Sequence, residues 1–259
     1  ARGAYEVIGQ RFHDEIGYVP RLGVNHAASY GRLNLRPRWA SETFSIREFG
    51  PHFHFDQFDR RDGTGTESRY LDWHLVLSMN DSGFFESGLN QNREGNVTAF
   101  ALNPARGVGI APGMYDFNEY FALYRSNNAA RFSYETRVST GDFYNGHRNG
   151  YAFAPSVRVN EHLNGSLSVQ VNEIDLPTRS YVSTLVAMRL NYSVNTTVFL
   201  NGLVQYNADT QLWSSNVRLN VIHRPLSDFF LVYNERRLGS TGALVDRSLV
   251  AKFTYLFAF

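Results

Sequence analysis

His52, His54 and Asp56 alternate with Phe53 and Phe55, so an extended backbone would carry three candidate metal ligands on one face and two aromatic rings on the other. Two imidazoles and a carboxylate suit zinc. The sequence shows no fourth ligand, however, and the triplet also reads as plain alternation beside an aromatic girdle, so no metal and no other cofactor is expected. A second constellation is charged: Arg131, Glu135, Arg137, Arg158, Arg189, Arg218 and Lys252 fall on the polar parity of successive segments. In a row they could form an anion-favouring constriction. The blander expectation is a hydrogen-bonded network in which the arginines pair with Glu135 and Asp72.

Other suggestive residues carry less. Gly63-Thr64-Gly65 lacks the Lys-Ser/Thr and the following helix that a phosphate cradle needs. Ser215 and His223 share a parity but stand eight residues apart on one segment, too far at about 3.3 Å per residue for a hydroxyl to reach an imidazole. His26, His74, His147 and His162 have no recognisable partner in sequence and read as solvated histidines. No catalytic residue is expected.

The elements that would position these side chains are strands. In the last stretch, Leu249, Ala251, Phe253, Tyr255, Phe257 and Phe259 share one parity, while Ser248, Lys252 and Thr254 share the other. Upstream, the same period-two alternation predicts strands over 4–10, 30–38, 43–58, 68–79, 84–93, 117–125, 129–141, 150–159, 165–173, 181–193, 197–207, 211–224 and 228–236. A bulge is expected at Gly50-Pro51 and long loops over 11–26 and 94–116. The connections 160–164, 194–196 and 225–227 are short, whereas 174–180 and 238–245 are longer or rich in Gly; 208–210 is the exception.

The fold class expected is therefore all-β, an antiparallel transmembrane β-barrel of about 14 strands with short periplasmic turns and longer extracellular loops. An even count places both termini on the periplasmic side. One barrel domain over residues 1–259 is expected, as a processed chain or the C-terminal part of a longer one, since the opening residues carry neither an initiator Met nor a signal-peptide pattern.

Composition excludes other classes. Aromatics make up 15% of the 259 residues, yet no run approaches the roughly 18 apolar residues that a transmembrane helix needs. Many aromatics without long apolar runs fit strands with one face in lipid and one in water. Lys and Arg total 25 against 24 Asp and Glu, so no global field points to nucleic acid. With no Cys there is no disulfide and no thiolate site.

Three stretches carry a resemblance: Phe12-His13-Asp14-Glu15-Ile16-Gly17-Tyr18-Val19-Pro20-Arg21, then 224–234 beginning Arg224-Pro225-Leu226-Ser227-Asp228, and Asp246-Arg247-Ser248-Leu249-Val250. Together they resemble the C-terminal β-barrel of a bacterial outer-membrane family of unknown function that usually follows a carbohydrate-binding-module domain of the family-nine type. The resemblance implies location and architecture, with a periplasmic or N-terminal glycan-binding domain as neighbour. Lys252, Tyr255, Phe257 and Phe259 also resemble the C-terminal signal read by the barrel-assembly machinery, with Thr254 standing where Gly is usual.

The reading is thus a barrel of the bacterial outer membrane, acting as pore or as membrane anchor and scaffold linked to glycan uptake or handling, with outer-membrane lipid and the assembly machinery as partners. A barrel enzyme acting on lipid or glycan is the first alternative, and a soluble all-β binding protein the second.

Overall fold

The computed structural model describes residues 1–13 and 21–257. Most of the first resemblance run and the signal residue Phe259 lie outside the described residues.

The chain is all-β. Fourteen strands form one antiparallel sheet in chain order: β1 (Arg2–Ile8), β2 (Val24–Arg32), β3 (Ile46–Arg60), β4 (Gly65–Met79), β5 (Phe84–Asn96), β8 (Gly113–Arg125), β9 (Phe132–Phe143), β10 (Gly146–Arg158), β11 (Leu163–Leu176), β12 (Arg179–Ser193), β13 (Val198–Asn207), β14 (Leu212–Arg224), β15 (Ser227–Leu238) and β16 (Leu244–Thr254). A separate two-stranded sheet of β6 (Phe100–Asn103) and β7 (Val108–Ile110) lies between β5 and β8 in sequence. Among the described residues no ladder joins β1 to β16, so the large sheet has two edges.

The contacts group into two compact units. The first holds Ala1–Tyr124, Arg137–Gly150 and Glu173–Tyr181, the second Arg125–Thr136, Tyr151–Asn172 and Val182–Phe259.

The strand count matches the alternation, but several boundaries do not. The second strand begins at Val24 and ends at Arg32, whereas 30–38 was expected. Two prolines explain the shift. Leu33 donates to the Pro51 carbonyl at 3.0 Å, but Pro51 has no N–H to return the bond, so the ladder is interrupted and only a bridge between Leu35 and Phe49 remains. Pro37 then caps a short helix, α1 (Arg38–Phe44), which Ser45 closes in the left-handed conformation at φ 56°. The bulge expected at Gly50-Pro51 is absent: both residues pair in register with Val76 and Leu75, and the irregularities lie at Ile46/Glu48 and Phe58/Asp59. Gly50 serves another purpose, since a Cβ there would stand 2.6 Å from the Arg32 guanidinium.

The connection expected as a long loop over 94–116 contains β6, a 3-10 turn (Pro104–Arg106) and β7. It is anchored by a small core in which Val108 and Ile110 pack with Ile174, Leu176 and Tyr181, flanked by Leu102, Tyr115, Phe143 and Tyr144. At the end near this hairpin, strands β9 to β12 therefore run further than expected. Residues 174–180, read as a longer connection, are mostly strand around a tight turn, because their apolar side chains are covered by the 100–110 hairpin.

A candidate polar-face site

The ladders resolve each unit into an apolar and a polar face. In the second unit, one face carries the rows Leu190–Gly202–Val217–Tyr233–Leu249 and Tyr192–Leu200–Leu219–Leu231–Ala251, then Val198–Val221–Phe229–Phe253. Much of this face is open: Leu249 is 66% and Phe253 65% exposed. Towards the other end of the strands it passes a polar row, where Glu235 accepts from Tyr233, Arg237 and Arg247, and finishes at the Tyr206–Trp213 ring pair, 4.8 Å apart. From Val221 to Trp213 is eight residues, about 26 Å of strand at roughly 3.3 Å each.

The opposite face is polar. Asn191, Asn201 and Arg218 occupy one row, which continues through Val232 and Val250, and Arg189, Leu203, Asn216, Asn234 and Ser248 the next. Asn216 donates to Asn234 at 2.6 Å, and Asn234 to Ser248 at 3.2 Å. Arg189, Arg218 and Lys252 make no ion pair among the described residues. Glu135 pairs with Arg125, at 2.5 Å. Arg131 does not lie in a strand as expected: the Asn127 side chain accepts from the Ala129 N–H at 2.8 Å and tightens the turn before β9. Its guanidinium bonds the Val159 carbonyl, and Arg158, the last residue of β10, bonds the Ala129 carbonyl.

The richest chemistry is on the polar face of the first unit. The ladders place His52 opposite His74, His54 opposite Asp72, and Asp56 opposite Tyr70. The triplet His52, His54 and Asp56 does share a face, but its members divide between two groups. His54 Nε2 lies 2.5 Å from Asp56, whose other oxygen is 2.6 Å from His26 Nε2. His26 in turn reaches Glu6 at 3.3 Å and stacks on Phe58. His52 instead joins His74 and Glu86, whose ligand atoms all lie within 4.8 Å of one another.

His74 and Glu86 come from different strands and meet only through the β4–β5 register, which sets Gly88 opposite His74 and Glu86 two residues along the same face. His74 Nδ1 lies 3.0 Å and His52 Nε2 3.9 Å from Glu86 Oε1. Beyond them, the buried Glu119 of β8 accepts from Arg137 at 2.8 Å, from Arg148, and from Asn90 at 3.2 Å. Arg137 thus meets Glu119, where a partnership with Glu135 or Asp72 was expected. Asp72 is buried and accepts from the His54 backbone N–H at 2.8 Å.

His26 and His74 were read as unpartnered, and their carboxylate neighbours could not be seen in sequence because each lies on another strand. The Gly63 tip is a tight turn: Thr64 donates its hydroxyl and backbone N–H to Asp62, holding that carboxyl below its usual range. Ser215 points its hydroxyl at the Glu235 carbonyl, 3.5 Å away.

Tyr255, Phe257 and the residue between them lie past the end of β16. The Leu256 N–H bonds the Ser227 hydroxyl at 3.0 Å, and the Arg224 guanidinium sits 3.9 Å over the Tyr255 ring. Comparison with known proteins finds no matching family model, no similar curated protein and no similar solved structure.

Proposed function

We propose that this chain is a β-barrel of the bacterial outer membrane, acting as a polar-lined pore or as a membrane anchor. The observation that carries this reading is the two-sidedness of the sheet. One face of each unit exposes apolar rows, with Trp73 54% exposed in the first and Leu249 and Phe253 still more in the second. The other face is mainly hydrogen-bonded and charged, with Leu203, Val232 and Val250 among its members in the second unit. Left in water, the apolar rows would be a large unfavourable surface. In a bilayer they would form the lipid belt, from Val221 to Val217 about 13 Å of strand at roughly 3.3 Å per residue, with the Glu235 cluster and the Tyr206–Trp213 ring pair at its border.

In this reading β1 pairs with β16, so that every backbone group within the hydrocarbon has a partner. The short α1, with Trp39 and Phe44 exposed, would lie at the interface on the side of the chain termini. The 100–110 hairpin would stand over the strand tips at the other end. The resemblance to the outer-membrane family adds a glycan-handling setting, and the assembly-machinery role of the C-terminal aromatics belongs to the same proposal.

The test is conductance of the purified, folded chain in a planar bilayer under a salt gradient. A steady conductance with anion preference, reduced by Arg189→Ala or Arg218→Ala, is expected of the pore. Silence from a chain shown to be folded would remove the pore and leave the anchor.

A further inference from the structure

We propose that His52, His74 and Glu86 form a binding site for a divalent transition metal ion of the zinc class, with at least one coordination position open to exchange. The proposal rests on the local geometry of β3, β4 and β5 and stands whether or not the sheet closes as a barrel.

The argument is one of donors and acceptors. Glu119 lies against two guanidinium groups and accepts hydrogen bonds from both. Its third neighbour, Asn90, must therefore present its amide nitrogen, and the Nδ2–Oε1 distance is 3.2 Å. That fixes the orientation of Asn90. Its Oδ1 faces Tyr70 Oη at 2.8 Å and His74 Nε2 at 2.9 Å, and since an amide oxygen only accepts, Nε2 of His74 carries the hydrogen. In the neutral ring the lone pair is then on Nδ1, which points at Glu86 Oε1 from 3.0 Å. Two lone pairs at that distance repel unless a proton on Nδ1 or a metal ion lies between them, and only the metal also draws in His52 Nε2.

His52 completes the set. Its Nδ1 faces the Gly50 carbonyl at 3.4 Å, leaving Nε2 turned towards Glu86. Both imidazoles thus have the nitrogen away from the cluster directed at a carbonyl oxygen, the arrangement that orients metal-bound histidines. The separations of 3.0 and 3.9 Å to Glu86 bracket the ~3.4 Å between ligands of a tetrahedral ion with bonds of about 2.1 Å, and the two imidazole nitrogens lie within 4.8 Å of each other, a distance that small rotations of the rings close. Two nitrogens and one carboxylate oxygen select ions of the zinc, cobalt and nickel type over calcium or magnesium. The three side chains are also mostly shielded, at 12%, 10% and 22% exposure, so the carboxylate is not simply a solvated surface charge.

The experiment is equilibrium dialysis of the full folded chain against zinc chloride after chelation, with cobalt absorption as a second readout of coordination. One zinc ion per chain is expected. Glu86→Gln, which keeps the shape of the side chain, and His74→Phe should each weaken binding about tenfold or more. His54→Ala should leave it unchanged, because His54 belongs to the Asp56 group. Strand content by circular dichroism identifies a variant that has failed to fold, and the near-isosteric Glu86→Gln keeps the question open to test if His74→Phe does so. No zinc uptake by the folded chain would overturn the assignment and leave a proton on His74 in the ion's place. Binding that Glu86→Gln preserves, or that His54→Ala abolishes, would overturn it as well.

Discussion

Gly88 faces His74 across the β4–β5 ladder with no room for a side chain: a Cβ at Gly88 would stand 2.3 Å from His74 Cδ2 and 2.4 Å from the Trp73 carbonyl oxygen. The missing side chain lets the imidazole lie down towards Glu86. Gly88→Ala forces the ring or the backbone to move, and an overpacking cost of about 1–3 kcal/mol is expected. The urea midpoint of the folded chain measures it, and an unchanged midpoint would show that the strands separate freely here.

Glu119 holds two arginines at once. Glu119→Gln removes the charge and leaves Arg137 and Arg148 facing each other, each about one third exposed. Removing one partner of a buried pair costs 3–5 kcal/mol, and partial solvation of the guanidinium groups brings the expected loss to about 2 kcal/mol. A further Arg137→Met change should recover part of that loss, and equilibrium unfolding of the single and double variants checks both steps.

The two faces of the second unit should respond oppositely to the same substitution. Leu219→Arg places a charge within the apolar rows and should cost about 2–4 kcal/mol for the chain folded in lipid vesicles. Gln205→Arg, on the polar face, should stay within about 0.5 kcal/mol. Equal costs would sink the membrane reading.

Closure is open to a direct chemical test because the chain contains no cysteine. Tyr5→Cys combined in turn with Leu249→Cys, Val250→Cys or Ala251→Cys scans the β1–β16 seam. One pairing is expected to cross-link under mild oxidation in bilayers, since a disulfide needs Cα atoms within about 7 Å. If none of the three does, the sheet is open where the barrel requires it shut.

The small core under the 100–110 hairpin gives a local prediction. Ile110→Ala should cost the hairpin about 2 kcal/mol. Hydrogen exchange should then accelerate at Val108 and at position 110 while the β12–β13 ladder is unaffected.

Alternation was enough to find fourteen strands because most of them carry polar residues on one parity and apolar residues on the other, and that contrast is written along the chain. It failed where a backbone donor decided the outcome: residues 33–38 alternate as a strand does, yet Pro51 has no N–H to hold them. It failed again at 94–116, whose partners Ile174 and Leu176 lie far along the chain. The polar-face cluster was half legible. His52 could be picked out by spacing, but His74 and Glu86 become its neighbours only through register across three strands, which a single sequence does not display.

The two unjoined edges bear on how the chain behaves in water while they stay open. Strand β16 is eleven residues long, exposed throughout, and holds Leu244, Val245, Leu249, Val250, Ala251 and Phe253. Its unpaired backbone edge is the kind of template on which polypeptides clump. An edge of this kind, left open in water, can pair with the same edge of another copy. Asp246, Arg247 and Lys252 place charges along this edge, the residue type that disfavours edge-to-edge pairing.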